Sequence, residues 1–503
     1  MIHEFKDITH DLRVDADAVV VGSGAGGAVM AYCLARGGKS VILLEEGSYI
    51  HPEEFYRDQW SAMKQLYRDN GMRAMTGNLI IPTCQARCVG GSTTINSAIC
   101  FRLPDDVLEE WIEKEALVDI DPDIMKIKFD EIEEFLNISP DPDDVQGNNN
   151  LLLKEACEAA GIKAAAFNRN TRDCKGCGLC MSGCPEGAKL SMDLSYVPAS
   201  VEKGAELYTD CRVEELIVQH GKAVGVIGHF LHPETLKPQN RLEVRAKAVV
   251  LACGTMGTPV LLQKNRIANS SGMVGKNLVN HTGTGMIGIF PEPVNAWDGV
   301  NQGYSCDVFR KDGFIIEVFW APPDVIGIRL SGFGLHHKRM MSKLKYMAGW
   351  GVMIRGTSTG SVKARSRGWS PVIHYHLNRH DARLQQKAMK IIADLFFAAG
   401  AIEINPGIHG LPLEITEPRD TRLIAEHNIK PTDLAPIGNH PMGTCRMSEY
   451  KEHGVVDSHG ETHDIKNLFI SDASIFPNAP GVNPQETIMA LSAMFADYIL
   501  TRI

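Results

Sequence analysis

Residues 174–189 read CKGCGLCMSGCPEGAK. Cys174, Cys177, Cys180 and Cys184, followed by Pro185, repeat the C-x2-C-x2-C-x3-C-P spacing of a bacterial iron–sulfur ligand run. Four thiolates so spaced would hold a [4Fe–4S] cluster, and three would hold a [3Fe–4S] cluster. The chemistry on offer is transfer of single electrons. Gly176, Gly178, Gly183 and Gly187 would let the backbone wrap a cluster and aim N–H groups at its sulfurs. One difficulty stands. In two-cluster proteins the fourth cysteine of such a run serves the other cluster, and this chain has no second run. Cys184 bends back to the same cluster, or a remote cysteine such as Cys84, Cys88 or Cys211 replaces it, or three iron atoms suffice. The rival readings are zinc, which draws its ligands from two separated knuckles, disulfides, which suit a secreted chain, and a structural loop with no cluster.

A second constellation lies near the N-terminus. Gly22, Gly24 and Gly27 spell G-x-G-x-x-G after an apolar run, ADAVVVG, and before a helical pattern. The first glycine permits a tight turn, the second lets backbone approach a pyrophosphate, and the third lets helix pack on strand. The helix start then faces the phosphates with unpaired N–H groups. Glu45, at the end of the next apolar run, can accept from ribose hydroxyls. This fingerprint alone does not separate FAD from NAD.

These groups need a scaffold, and the pattern supplies one. Residues 14–47 read as strand, helix, strand. Residues 101–195 hold acidic helical stretches, a loop-like SPDPDDVQGNNN and the cysteine run. Strands return over 212–230 and 246–254. Residues 291–430 carry four of the six tryptophans, and a long helical pattern covers 382–400. The tail ends in a strand, NLFISD, and a helix, PQETIMALSAMFADYIL. The nucleotide-type segments are therefore interrupted by insertions. The chain is 44% hydrophobic and 22% charged with a net charge of -10, and it has no long basic block, which argues against nucleic acid as a partner. No apolar stretch is long enough for a membrane span. Without a signal-like N-terminus, and with 13 cysteines of which four are bunched, the chain is expected to be cytoplasmic.

Further motifs follow in order: GGSTTINS at 90–97, KAVVLACGTMGTP at 247–259, VGKNL at 274–278, NHPMGTCRM at 439–447 and LFISDASIFPNAPGVNPQETIM at 468–489. In this order they resemble the glucose–methanol–choline (GMC) oxidoreductase family over nearly the whole chain. HPMG and GVNP look most like its cholesterol oxidase side, and the Cys-rich stretch also occurs in long-chain alcohol oxidase-like members, here with its ferredoxin-like spacing. The resemblance implies FAD. It also implies that Gly91, Ser92 and Asn96 lie along the pyrophosphate and flavin, that Val213 meets adenine through its backbone, and that Asp472 sits near the pyrophosphate. It sets the histidine of the HPMG motif, His440, opposite Asn483 of the GVNP motif. His440 is the natural base for an alcohol, since histidine titrates near neutral pH. Asn483 can hold the alcohol oxygen without adding charge. Thr444 and Cys445 read as packing under the flavin. His281, His336, His374 and His376 read as structural.

The expected fold is α/β, a GMC-type flavoprotein. A Rossmann-like FAD-binding domain comprises 1–100, 195–290 and 430–503. An α+β substrate domain with an antiparallel sheet comprises 101–194 and 291–429, with the Cys-rich iron–sulfur loop at 174–189. The expected activity is oxidation of a hydrophobic or ring-bearing alcohol to a carbonyl, with electrons leaving through the cluster to an acceptor protein or quinone. The alternatives are an oxidase that passes electrons to O2 and a lyase that keeps FAD as scaffold.

Overall fold

Strand β1 (Leu12–Val21) begins with alternating side chains and ends in four buried ones, Ala18–Val21. That change of pattern follows from its neighbours. The end of β1 lies between two parallel partners and is covered on both faces, so every position there is apolar. One partner is β2 (Val41–Leu44), followed outward by β3 (Glu206–Tyr208) and the short strand Ile2–His3, all parallel. The other partner is the long strand β6 (Pro238–Leu251). On its far edge β6 meets two strands in succession. Its first half pairs antiparallel with β5 (Lys222–Leu231), which pairs in turn with β4 (Cys211–Gln219), and its last three residues pair parallel with β12 (Leu468–Ile470). The computed structural model describes residues 1–503.

Helix α1 (Ala25–Arg36) leaves β1 through Gly22, whose φ of +105° and whose position 2.2 Å, for an added Cβ, from the Ala252 carbonyl oxygen admit no side chain. An added Cβ on Gly27 would lie 1.8 Å from the Gly22 carbonyl oxygen, so this third glycine sets how closely α1 packs on the turn. The apolar faces of α1 and of the C-terminal α7 (Gln485–Leu500) share one core with α2 (Asp105–Glu115) and α3 (Pro122–Phe135). Helices α2 and α3 thus pack with the nucleotide sheet, although their sequence lies in the stretch expected to go with the substrate unit. Val107, Trp111, Phe129 and Ile132, spaced along one face of each helix, direct them there.

A second core surrounds a six-stranded antiparallel sheet. Its order is β11 (Glu403–Asn405), β7 (Gly285–Ile289), β10 (Met347–Ile354), β9 (Phe314–Val318), β8 (Tyr304–Cys306) and the short strand Ala165–Ala166. Helix α6 (Arg379–Ala398) lies on one face of it. Asn378 caps this helix by accepting from the Asp381 N–H at 2.8 Å. Phe396 of α6 stacks on Trp350 of β10 with centroids 3.9 Å apart, in the space left by Gly288 on the adjacent strand. The other face of the sheet is turned to a large cavity.

The stretch SPDPDDVQGNNN is not all loop, because α4 (Asn148–Ala159) starts inside it. Two of its three asparagines are buried and serve backbone: Asn149 accepts from Gly349 N–H at 3.0 Å, and Asn150 accepts from Gly303 N–H at 2.7 Å. Their polarity reads as a turn in the sequence and is satisfied by chain far away in it. Helix α5 (Gly254–Asn265) follows β6. No helix is long and apolar enough to cross a membrane.

Candidate active site

One cavity of about 1050 Å³ joins the two halves of the protein. Gly22, Gly24, Glu45, Gly91, Ser92, Asn96, Val213 and Asp472 all line it, as do His440 and Asn483. Of the residues expected to hold FAD, Gly27 alone does not, since it packs beneath Gly22.

At the nucleotide end, two glycine loops abut. A Cβ on Gly91 (φ +54°) would lie 2.9 Å from the Gly24 Cα, so the backbone of both loops is bare toward the cavity. Gly24 itself would meet nothing closer than the Gly91 Cα at 4.0 Å. This is a cradle for a group that needs backbone contact, and a pyrophosphate is one. The Glu45 carboxylate accepts from Ser23 N–H at 3.0 Å, Ser23 Oγ at 2.7 Å and Gly47 N–H at 2.9 Å. Burial pushes its pKa up, and these bonds oppose the push. Lone pairs remain for a ribose hydroxyl. Asp472 is held by Gly254 N–H at 2.9 Å, Thr258 Oγ1 at 2.5 Å and Ser474 N–H at 2.8 Å, so it ties the start of α5 to the C-terminal segment. Asn96 donates to Gln485 Oε1 at 2.8 Å, at the start of α7. Ser92 accepts from Ala86 N–H at 3.2 Å. The bare glycine loops and this polar rim fit FAD.

His440 and Asn483 come from different loops and meet, with His440 Nε2 3.4 Å from Asn483 Nδ2. Asn280 Oδ1 fixes the His440 backbone by accepting its N–H at 3.1 Å. Burial brings the His440 pKa down to about 4, so its ring is neutral near pH 7. His281 stands directly behind it, Nδ1 to Nδ1 at 3.2 Å, and accepts from the Gly481 N–H at its Nε2 at 2.9 Å. His281, read from the sequence as structural, is thus in contact with the His440 ring. Burial, then the charge of a protonated His440 and Arg355, holds the His281 pKa well below the ordinary value. Thr444 and Cys445 are fully buried beside this loop, and Thr444 donates to the Thr255 carbonyl at 2.6 Å.

The far end of the cavity is the open face of the six-stranded sheet. Glu317 of β9 stands in a row with Gly351 of β10 and Gly285 of β7, and the ring of Phe319 fills the space that a side chain on either glycine would need. Its Oε2 is shut off from solvent and has no hydrogen-bond partner, and burial pushes its pKa up to about 7. Three other cavity-lining atoms are buried without partners: Asn483 Oδ1, Trp320 Nε1 and Asn405 Nδ2. Polar groups left unpaired in a pocket are what a ligand completes. Sequence reasoning missed Glu317. The available signal was one carboxylate inside an unbroken apolar run, FIIEVFW.

The cysteine run forms a loop behind the Gly91–Ile95 turn. Cys174, Cys177, Cys180 and Cys184 line one small cavity, whereas Cys84 and Cys211 line the large one. Cys184 reaches its place through a left-handed φ of +104°. No three cysteine, histidine or carboxylate side chains converge as ligands of a single ion, and all 13 cysteines are unpaired. One buried cation touches the sulfurs, and a second lies close by. Arg169 donates to Cys180 Sγ at 3.2 Å and pairs with Asp141. The Lys189 backbone N–H donates to Cys184 Sγ at 3.3 Å. Its ammonium donates to three carbonyls, Thr94 at 2.7 Å, Asn96 at 2.9 Å and Cys180 at 2.7 Å. Cys180 and its neighbour Met181 thus lie between the small cavity and the large one.

Comparison with known proteins agrees with this architecture. The GMC oxidoreductase N-terminal pattern matches residues 63–283 and the C-terminal pattern residues 356–492, while residues 20–77 match an NAD(P)-binding Rossmann-like domain. A GMC-type oxidoreductase of Mycobacterium tuberculosis is 34% identical over 97% of this chain and 76% of its own. The chain belongs to the GMC oxidoreductase family. A long-chain-alcohol oxidase of Arabidopsis thaliana is 27% identical over 96% of this chain and 68% of its own. The solved structure of pyridoxine 4-oxidase from Mesorbium loti superposes with a TM-score of 0.71 at 17% identity, covering 96% of this chain and 98% of that one. The GMC flavoprotein fold and FAD as its cofactor follow for this GMC oxidoreductase.

Proposed function

We propose that this GMC oxidoreductase oxidises an alcohol to a carbonyl compound. The meeting of His440 and Asn483 at 3.4 Å, inside the cavity that the dinucleotide fingerprint also lines, carries this reading. FAD, when bound, accepts the carbon-bound hydrogen as hydride together with its two electrons. The backbone at Gly22, Gly24 and Gly91 with Ser92 is assigned to the pyrophosphate, Glu45 to the ribose, Val213 to adenine, and Asn96 and Asp472 to the edges of the same site. His440 and Asn483 grip the alcohol oxygen. The hydroxyl proton is taken inside the cavity, where His440 and the unpartnered Glu317 are the buried groups able to accept one. Apolar lining by Ile287, Phe319, Trp320 and Leu330 favours a hydrophobic alcohol, as does the plant relative named for long-chain alcohols. Anaerobic addition of such an alcohol tests the reading through the flavin spectrum.

The finer part of the proposal concerns the electrons. Cys174, Cys177, Cys180 and Cys184 hold an iron–sulfur cluster, [4Fe–4S] with all four or [3Fe–4S] with three. A cluster there supplies one-electron steps between a two-electron flavin and an external acceptor, a protein or a quinone. Their shared cavity, the buried Arg169 and the Lys189 contact to the Thr94–Asn96 turn support this. Iron and acid-labile sulfide in anaerobically purified protein test it. The name of the plant relative favours a second reading, direct transfer to O2 with peroxide as product. Unpaired cysteines suit a reducing compartment, and we assign the chain to the cytoplasm.

A further inference from the structure

His281 stands ring to ring behind His440, Nδ1 to Nδ1 at 3.2 Å. The starting point is a backbone group, whose role is fixed. The Gly481 N–H can only donate, and it points at His281 Nε2 at 2.9 Å. His281 Nε2 is therefore a bare lone pair. An imidazolium would carry a proton there, against the Gly481 N–H, so this geometry holds His281 neutral. Its single ring proton then sits on Nδ1, which faces His440 Nδ1 at 3.2 Å. His440 Nδ1 must accept it. A neutral His440 has one proton left to place, and Nε2 is the only nitrogen open to it.

Nε2 is the atom that faces Asn483 and the cavity. With Asn483 Nδ2 toward it, two donors would oppose each other at 3.4 Å while Asn483 Oδ1 stays buried without a partner. Turning the amide over resolves both problems at once, since Oδ1 then accepts from His440 Nε2–H. The chain of protons runs one way, from Gly481 through His281 and His440 to the oxygen in front of them. That oxygen is Asn483 Oδ1 in the free site and the substrate oxygen when an alcohol is bound.

A base needs a free lone pair on the atom that meets the hydroxyl, and His440 has none there. A carboxylate that lines the same cavity is Glu317 of β9, whose Oε2 is buried without a partner. We propose that His281 is a positioning residue that keeps the proton of His440 on Nε2, that His440 acts as a hydrogen-bond donor to the substrate oxygen, and that Glu317 takes the hydroxyl proton. This rests on the alcohol-oxidation reading. The bookkeeping closes: the O–H bond breaks and a new O–H bond forms on the Glu317 carboxylate. The C–H bond breaks with both electrons going to the flavin, and the carbon–oxygen bond becomes double. His440 gains and loses no proton, and its donated hydrogen bond shortens as charge builds on the oxygen.

The test uses the holoenzyme. A neutron structure, or ¹⁵N spectra of the histidine rings, should show His440 protonated at Nε2 and bare at Nδ1. A bare Nε2 with a proton on Nδ1 would overturn the proposal. In His281→Leu the donor behind His440 is gone, so a mixture of the two ring forms is expected, and an unchanged Nε2–H form would remove His281 from its role. His440→Gln separates donor from base, because a glutamine amide donates but cannot take a proton at neutral pH. Its rate of flavin reduction should exceed that of His440→Ala by about tenfold or more, within the range of a positioned group. Equal rates in the two variants would mean that His440 is the base. Glu317→Gln should slow flavin reduction by about 10²-fold while leaving FAD content unchanged, and a wild-type rate would exclude Glu317 as acceptor. If no alcohol reduces the wild-type flavin, the parent reading fails instead, and the ring protonation measured in the same protein still decides the His281 claim.

Discussion

His440 and Asn483 stand 43 positions apart in the chain and meet with ring nitrogen and amide nitrogen at 3.4 Å. Neither lies on a regular helix. Each is held by a loop fixed to the sheets through backbone bonds, His440 by Asn280 and the Gly481 turn by His281. Truncating either leaves that scaffold in place. His440→Ala and Asn483→Ala are therefore expected to keep FAD and the fold but to reduce flavin with alcohol about 10²–10⁴-fold more slowly, the usual range for a positioned group. Stopped-flow absorbance of the flavin checks it, and near-wild-type rates would remove the pair from the chemistry.

The three fingerprint glycines should fail in different ways. A side chain at Gly24 meets open cavity, so Gly24→Val should fold and be purified without flavin. A side chain at Gly27 meets the Gly22 carbonyl, so Gly27→Ala should lose several degrees of thermal midpoint or fail to accumulate. Flavin content and thermal midpoint, measured side by side, separate the two. Full FAD occupancy in the Gly24 variant would mean that the pyrophosphate lies elsewhere.

Glu317 carries a cost that depends on pH. Its pKa is about 7 in the fold against 4.5 when unfolded. Between those values the unfolded chain has released the proton that the folded chain still holds, so stability falls as pH rises through this window and stays low above it. Glu317→Gln removes the cost. It should stabilise the protein by about 1–3 kcal/mol at pH 8 and leave it unchanged at pH 4. Denaturant midpoints at the two pH values measure this, and equal gains at both would show that ionisation of Glu317 is not responsible.

For the cysteine loop, Cys177→Ala should lower iron and sulfide content while alcohol still bleaches the flavin. Turnover with a one-electron acceptor should fall. Lys189→Met should disturb both sites, since its ammonium joins the Thr94–Asn96 turn to Cys180. Unchanged turnover in the Cys177 variant would make the run a structural loop and favour the O2 reading.

Local pattern carried much of this in the sequence. The apolar end of β1, the glycine turn and α1 are neighbours in the chain, and their spacing states their geometry directly. The position of α2 and α3 was not legible, because an amphipathic helix names the face it buries and not the sheet that covers it. His281 and Glu317 were illegible for a related reason. A lone histidine or carboxylate gains its meaning from groups that arrive from distant segments, here Gly481 and Gly351. The four cysteines stood out by spacing, yet Arg169, the cation behind them, lies outside the run in an unremarked strand.

The most direct measurement is the flavin spectrum of the anaerobic holoenzyme mixed with a long-chain primary alcohol. The flavin should bleach, with one carbonyl product formed per flavin reduced. An FAD-loaded enzyme whose spectrum stays oxidised with every alcohol offered would contradict alcohol oxidation and leave the flavin as scaffold.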